Sequence, residues 1–194
     1  MERRIAMTLR KYAWFALACF AATGVWAEDF PEGWIARAEL AAHGRLMEVR
    51  NDPARALNAF TTDGCSGGMS ATWSALAGLF PEFDELHMSK PPWEGCCVAH
   101  DRAYHSAGGA TSAEQSFRAR LEADEILRQC VRDTVESRRA TLRDEYGLSD
   151  ARIDQGYDLI AASMFDAVRV GGGPCSGLPW RWGYGWPQCG LFSE

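Results

Sequence analysis

The chain has 194 residues, a formal net charge of −6 and 47% hydrophobic residues. This length and composition suit one domain with its own core. The acidic balance excludes nucleic acid as a partner, because binding phosphates requires a basic face, and it gives no long-range attraction to anionic lipids.

The first 27 residues predict an export signal. A basic stretch precedes an apolar run over 14–26 that is too short to span a membrane comfortably, and Ala27 ends a plausible small-residue cleavage site. An uncleaved anchor is the alternative, and a lipoprotein anchor through Cys19 fits the preceding residues less well. We therefore expect a secreted or periplasmic protein whose mature chain, 28–194, has a charge of −9, since the signal holds four basic residues and one acidic residue.

The remaining sequence predicts a mainly helical fold, because strand signals are sparse. In chain order, the predicted helices cover 34–49, 70–79, about Trp93 to the pair Gly108-Gly109, a long segment capped by Thr111 or Ser112, and 153–168. Ser112 and Gln115 have capping-box spacing. The predicted buried face of the long helix is Phe117, Leu121, Leu127, Val131 and Val135. The predicted apolar residues of the last helix are Tyr157, Ile160, Met164 and Val168.

Cleavage of the signal leaves six cysteines: Cys65, Cys96, Cys97, Cys130, Cys175 and Cys189. An even number in an exported chain predicts three disulfides. Cys96 and Cys97 cannot easily bond each other, because adjacent Cα atoms are about 3.8 Å apart and an unstrained disulfide needs roughly 4.4 Å. Their segment is therefore expected to be attached to two other parts of the chain.

Asp124 falls on the apolar stripe of the long helix, where a carboxylate without a partner would suffer a large desolvation cost. In an antiparallel hairpin, facing residues have position numbers with a nearly constant sum, and this sum is 224 for His100 with Asp124 and 226 for Cys96 with Cys130. One register therefore pairs the histidine with the carboxylate and brings the two cysteines together. The alternative for Asp124 alone is a surface acid.

The stretch 96–104 resembles the secreted phospholipase A2 family. That family's signature is Cys-Cys-x-x-His-Asp-x-Cys-Tyr on one helix, and Cys-Asp followed six residues later by Cys on the antiparallel helix. Here Cys-Cys-x-x-His-Asp is complete over 96–101, Tyr104 falls at the expected place, and Asp124 stands six residues before Cys130.

Ala103 and Ala123 stand where the family has two cysteines that bond each other, so both partners of one bridge are missing together. The glycine-rich turn 62–68, with its embedded cysteine, looks like the family's calcium loop, although Ser66 replaces the usual glycine. The longer spacer after this loop and the short connection between the helices look more like the compact bacterial and fungal branch. The resemblance covers 61–130.

The resemblance implies an all-α fold with two antiparallel, disulfide-linked central helices and a calcium loop. It implies calcium-dependent hydrolysis of the sn-2 ester of glycerophospholipids, in which His100 activates water, Asp124 orients the histidine and Tyr104 hydrogen-bonds Asp124. The implied Ca²⁺ ligands are Asp101, Asp63, Gly64, Ser66 and Gly68, and the amide N–H of Gly67 or Gly68 would stabilise the oxyanion. The implied disulfides are Cys65–Cys97, Cys96–Cys130 and Cys175–Cys189.

The implied partner is a phospholipid membrane or micelle, whose lipids are the substrate. The protein is expected to be a monomer. The expected organisation is a signal peptide over 1–27 and a single phospholipase A2-like domain over 28–194. Within that domain, 61–130 forms the motif core and 171–194 forms a Trp-rich tail bracketed by cysteines.

Other chemistries fit the residues less well. A zinc site could be built from Cys96, Cys97, His100 and His105, but an oxidising compartment favours disulfides there and also disfavours a cysteine nucleophile. Ser66 and Ser70 lack the elbow of a serine hydrolase. His87 and His105 are predicted to be solvated surface residues.

The tail alternates aromatic residues at Trp180, Trp182, Tyr184 and Trp186. Tryptophan and tyrosine favour membrane interfaces, so the tail is either a lipid-docking surface or a disulfide-closed flap packed on the core. Two further hypotheses stay open for the whole chain. One is a non-catalytic exported module that binds calcium or membranes, and the other is an enzyme acting on a different ester or transferring acyl groups.

Overall fold

The computed structural model describes residues 33–65 and 91–190, and within these ranges the chain is mainly helical and contains no strand. We number the α-helices of this part α1 (Trp34–Asn51), α2 (Glu94–Ser106), α3 (Ala113–Asp133), α4 (Arg139–Asp144) and α5 (Asp150–Gly171). Two short 3₁₀ turns, Ala107–Gly109 and Thr134–Ser137, follow α2 and α3. The mainly helical fold class is confirmed. The predicted signal segment 1–27, the predicted helix 70–79 and His87 lie outside the described residues.

Helices α2 and α3 are antiparallel and joined by a tight glycine turn. Gly108 has a φ of 62°, and a Cβ atom there would lie 2.9 Å from the Cβ atom of Ala119, so glycine is required for the close approach. Ser112 caps α3 as predicted, because its side chain accepts a hydrogen bond from the Gln115 amide at 3.2 Å. In a capping box, the side chain of Gln115 would accept a hydrogen bond from the amide of the capping residue Ser112. Here it accepts from the amide of Thr111 at 3.0 Å, one residue earlier in the chain.

The buried face of α3 differs from the predicted one in its N-terminal half. Leu127 and Val131 are buried as expected, whereas Phe117 and Leu121 are only half-buried. Their expected places are taken by polar side chains at the same helical period, namely Ser116, Arg120 and Asp124, all of which are fully buried. Apolar periodicity alone could not reveal this face, because it is stabilised by ion pairs to other helices.

Two apolar clusters position the helices. The first, between the start of α2, α3 and α5, contains Trp93, Leu127, Val131, Ile153, Tyr157 and Met164. The second, between α1, α2, α3 and the tail, contains Leu46, Met47, Tyr104, Ala123 and Trp182. No helix of the described residues is long and apolar enough to cross a membrane.

The three implied disulfides are all present. They are Cys65–Cys97 with Cα atoms 5.3 Å apart, Cys96–Cys130 with Cα atoms 5.7 Å apart, and Cys175–Cys189 with Cα atoms 4.7 Å apart. The first two attach the N-terminal turns of α2 to the chain before it and to α3. Since disulfides persist in oxidising compartments, they are consistent with an exported protein.

The described part of the tail forms a flap packed on the helices. Trp182 is completely buried, and its indole N–H donates to Ser116 Oγ at 2.9 Å. The backbone N–H groups of Gly183 and Gly185 donate to the carbonyl groups of Tyr104 and His105 at 2.6 and 3.0 Å. Trp182 is therefore part of a flap packed on the core, the second of the two alternatives for the tail. Trp180 is 39% exposed and lies at the surface.

His105 is buried, so the prediction of a solvated surface histidine was wrong. Its ring makes edge contacts with Phe60 and Tyr184, with ring centroids 5.5 and 5.1 Å apart. The physical reason is the flap, which returns over the end of α2 and covers a position that the sequence pattern of α2 alone leaves on the outside.

Candidate active site

The site is built on the antiparallel pair α2 and α3, next to the disulfides at the start of α2. His100 Nε2 lies 2.8 Å from Asp124 Oδ1, and the side chains are 6% and 0% exposed. The register that pairs Cys96 with Cys130 also brings these two residues together. A buried carboxylate accepts the imidazole N–H at this distance and fixes the tautomer, leaving Nδ1 as the other ring nitrogen.

Tyr104 lies one turn after His100 and donates its hydroxyl hydrogen to the same oxygen, Asp124 Oδ1, at 2.7 Å. The ring of Tyr104 also lies over the His100 ring, with centroids 4.1 Å apart. Burial raises the pKa of the Tyr104 phenol far above its usual range, so the hydroxyl keeps its proton and donates to the carboxylate.

The second carboxylate oxygen of Asp124 faces two arginines that the sequence reasoning missed. Arg169 Nη1 donates to Asp124 Oδ2 at 3.0 Å, and Arg120 Nε lies 3.9 Å from the same oxygen. Arg120 stands four residues before Asp124 on α3, a spacing that could have revealed it. Arg169 is on α5, and no signal in the sequence connects it with the motif.

Glu39 on α1 completes a charge cluster in which Arg120 and Asp124 are buried and Glu39 and Arg169 are partly buried. It accepts hydrogen bonds from Arg120 Nη1 and from Arg169 Nη2, the latter at 2.9 and 3.1 Å to its two oxygens. Two carboxylates, Glu39 and Asp124, therefore face two guanidinium groups. Such balance is what allows charged side chains to be buried.

We expect Glu39→Gln to reduce the loss of stability in acid. Burial raises the pKa of Glu39, but the imidazole of His43 and the charges of the two arginines together lower it from the ordinary 4.5 to about 2. Because the folded pKa is depressed, the carboxylate stabilises the fold fully above the unfolded pKa, and this stability is lost as the pH falls towards 2. The free energy of unfolding should fall by about 2 kcal/mol more in the wild type than in the variant between pH 7 and pH 3.

Urea unfolding at the two pH values measures this difference. Glu122→Gln is the matched control, because Glu122 is an exposed carboxylate on α3 and the substitution removes the same charge. Equal acid sensitivity of the wild type and the Glu39 variant would contradict the role assigned to the charge cluster.

A second histidine, His43 on α1, lies beside the charge cluster. His43 Nδ1 is 2.8 Å from Ser116 Oγ, and His43 Nε2 is 3.7 Å from Glu39 Oε1. The order serine, histidine, carboxylate resembles a catalytic triad, but His43 and Ser116 are both 0% exposed. Since no substrate can reach the hydroxyl, we assign these residues to the packing of α1 against α3.

Asp101, the residue after His100 on α2, contacts the first half of the glycine-rich loop. Thr62 Oγ1 donates to Asp101 Oδ2 at 2.5 Å and accepts from the Gly64 amide at 3.0 Å. Gly64 has a φ of 69°, which lets the loop turn next to Asp101. Burial and the negative charge of Asp63 raise the pKa of Asp101, against the hydrogen bond from Thr62 and the charge of His100.

These groups suit Ca²⁺ in their chemistry. Asp101 and Asp63 are carboxylates whose mutual repulsion a cation would relieve, and hard oxygen donors are what Ca²⁺ prefers. The described residues contain no group of three or more His, Cys, Asp or Glu side chains that could hold a metal, so backbone oxygens would have to complete the site. The implied contributors Ser66, Gly67 and Gly68 lie outside the described residues.

A cleft connects the polar groups with an apolar wall. Its lining residues are Asp63, Gly64, Cys65, Cys97, His100, Asp101, Tyr104, Leu127, Met164, Val168, Gly172 and Trp180. The loop and α2 supply the polar side, whereas α3, α5 and the tail supply Leu127, Met164, Val168 and Trp180. The cleft therefore brings polar groups and apolar side chains next to each other on one surface.

The structure thus brings together His100, Asp101, Tyr104, Asp124, Asp63 and Gly64. The charge cluster of Glu39, Arg120 and Arg169 was found only in three dimensions. No protein-family model, curated protein or solved structure matches the chain.

Proposed function

We propose that the protein is an exported phospholipase A2-type ester hydrolase that cleaves the sn-2 ester of glycerophospholipids with the help of Ca²⁺. The observation that carries the proposal is the buried hydrogen bond between His100 Nε2 and Asp124 Oδ1, at the base of a cleft that also contains two acidic side chains. A binding module has no need of a histidine oriented in this way.

His100 is the general base in this proposal. Because Nε2 is bonded to Asp124, Nδ1 is the nitrogen that takes a proton from water. The carboxylate keeps the ring in this tautomer and stabilises the imidazolium that forms, and Tyr104 holds the carboxylate in place. The water oxygen attacks the ester carbonyl carbon as its proton passes to Nδ1. The bond from this carbon to the sn-2 oxygen then breaks, and the imidazolium gives the proton to that oxygen, so that the products are a fatty acid and a lysophospholipid.

Asp101 and Asp63 would hold Ca²⁺, with backbone oxygens of the glycine-rich loop. The bound ion would act as a Lewis acid on the ester carbonyl and would neutralise the phosphate of the substrate. The chain's own part is the placement of the carboxylates, since Thr62 fixes Asp101 by the hydrogen bond to Oδ2.

The apolar wall supports a lipid as substrate. Leu127 and Met164 are buried at the inner part of the cleft, whereas Trp180 is 39% exposed and Val168 is half-buried. An acyl chain that contacts these side chains is removed from water, and each methylene group that is buried in this way stabilises the complex by about 0.8 kcal/mol. A small polar ester would leave this wall unused.

The test is fatty-acid release from phospholipid vesicles as a function of Ca²⁺ concentration, with a chelator as the zero point. We expect no release in the chelator, and we expect Asp101→Asn to raise the Ca²⁺ concentration for half-maximal activity at least about 10-fold. Asp144→Asn is the matched control, because Asp144 is exposed on α4 and does not line the cleft. Release that persists in the chelator, or Ca²⁺ binding without turnover of any phospholipid, would contradict the proposal.

A further inference from the structure

We infer that Arg169 on α5 is a positioning residue for Asp124, and that Glu39 on α1 is its counter-ion. This inference rests on the proposed function, because positioning has meaning only if Asp124 serves His100. Both residues lie outside the stretch 61–130 that carries the sequence motif.

The two oxygens of Asp124 have separate partners. Oδ1 accepts from His100 at 2.8 Å and from Tyr104 at 2.7 Å, while Oδ2 accepts from Arg169 at 3.0 Å. A carboxylate held only at Oδ1 could still rotate about its Cβ–Cγ bond. The contact at Oδ2 removes this freedom, so Arg169 keeps Oδ1 directed at the imidazole.

Arg120 places Arg169 by holding the end of α5. Its Nη2 donates to the carbonyl oxygens of Val168 and Arg169 at 2.7 and 2.8 Å. The Val168 carbonyl also accepts from the Gly172 amide at 2.8 Å, and the guanidinium group adds a side-chain partner at the end of the helix, where carbonyl groups lose their backbone partners. The backbone from which the Arg169 side chain extends is thereby fixed to α3, which also carries Asp124.

Glu39 is a second carboxylate that binds both arginines, so that Asp124 is not their only anionic partner among the described residues. Without Glu39, two guanidinium groups would face one carboxylate, and the charges of the cluster would not balance. Glu39 accepts from both arginines, and Arg169 Nη2 contacts both of its oxygens. The cluster thus holds two positive and two negative charges, and Glu39 holds Nη2 of Arg169 while Nη1 donates to Asp124 Oδ2.

The experiment compares Arg169→Gln, Arg169→Lys and Glu39→Gln in the protein with its disulfides formed, with phospholipid vesicles and saturating Ca²⁺. We expect Arg169→Gln to lower kcat about 10- to 100-fold with KM within about 2-fold of the wild type, because the substrate contacts are unchanged and only the base is misplaced. Arg169→Lys should recover most of kcat, since an ammonium group can still approach Asp124 Oδ2. Glu39→Gln should lower kcat several-fold at unchanged KM. Arg143→Gln, at an exposed arginine on α4, is the matched control that leaves kcat unchanged.

A second readout does not depend on turnover. The proton that His100 Nε2 donates to Asp124 gives a downfield imidazole resonance in proton NMR, and we expect it to be sharp in the wild type and Arg169→Lys and broadened by exchange in Arg169→Gln. A folded Arg169→Gln that keeps the resonance and the wild-type kcat overturns the inference. So does an equal loss of kcat in the glutamine and lysine variants, or an unchanged kcat in Glu39→Gln if Arg169→Gln does not fold.

The two proposals fail in different ways. A wild-type protein without turnover contradicts the proposed function, and the NMR comparison then still decides whether Arg169 orders the pair. A wild-type protein with turnover and variants without any effect contradicts the positioning role alone.

Discussion

His100→Gln is expected to lower fatty-acid release from phospholipid vesicles by about 100- to 10,000-fold, the range that a positioned general base contributes. Glutamine is close to histidine in size and can keep a hydrogen bond to Asp124, but it cannot take a proton from water. The His100 side chain is almost completely buried against Asp124 and Tyr104, so the glutamine would occupy the same packed position. Initial rates at saturating Ca²⁺ and substrate measure the effect.

Asp124→Asn should also lower the rate, by a smaller factor, because His100 remains as the base but loses the negative charge that stabilises its imidazolium form. Glu122→Gln serves as the control on the same helix, since Glu122 is exposed and two residues away. Thermal unfolding of each variant shows whether the fold is retained. A folded His100→Gln protein with more than a tenth of the wild-type rate would contradict the assignment of the base.

Trp182→Ala is expected to lower the free energy of unfolding by about 3 to 5 kcal/mol, as for other fully buried tryptophans. Trp182 is 0% exposed, packs edge-on against Tyr104 with ring centroids 5.0 Å apart, and donates to Ser116 Oγ. Its removal leaves a cavity between the flap, α1 and α3 and takes one partner from Ser116. Urea unfolding with the disulfides intact measures the change.

Trp180→Ala is the matched comparison, because it deletes the same side chain from the same flap at a position that is 39% exposed. We expect its effect on stability to be much smaller. Equal destabilisation by the two substitutions would mean that the flap is held by its disulfide and backbone contacts rather than by Trp182. Such a result would contradict the packing that we describe for the tail.

Local and pairwise rules predicted the helical hairpin and one cysteine pair, Cys96–Cys130. The capping residue Ser112 and the glycine pair after α2 mark helix ends through backbone chemistry, which acts over a few residues. The constant-sum register then placed His100 opposite Asp124, because two regular helices joined by a short turn have little freedom in how they pair. These features were predictable because their causes lie within a short stretch of chain.

The charge cluster was not predictable in this way. Arg169 and Glu39 come from α5 and α1, which are 130 residues apart in sequence at their contact, and nothing in either helix pattern distinguishes them from surface charges. The polar half of the α3 face, the burial of His105 and the burial of Trp182 share the same cause. Each depends on which other segment packs against it.

The sequence by itself therefore determined the hairpin register that pairs His100 with Asp124 and Cys96 with Cys130, whereas the disulfides Cys65–Cys97 and Cys175–Cys189 were implied by the family resemblance. Only the tertiary structure decided what surrounds the second oxygen of Asp124 and which aromatic residue of the tail is buried. The physical reason is that helix caps, turns and hairpin register are set by local backbone geometry. The burial and pairing of charges, by contrast, depend on the dielectric environment that distant segments create when they pack together.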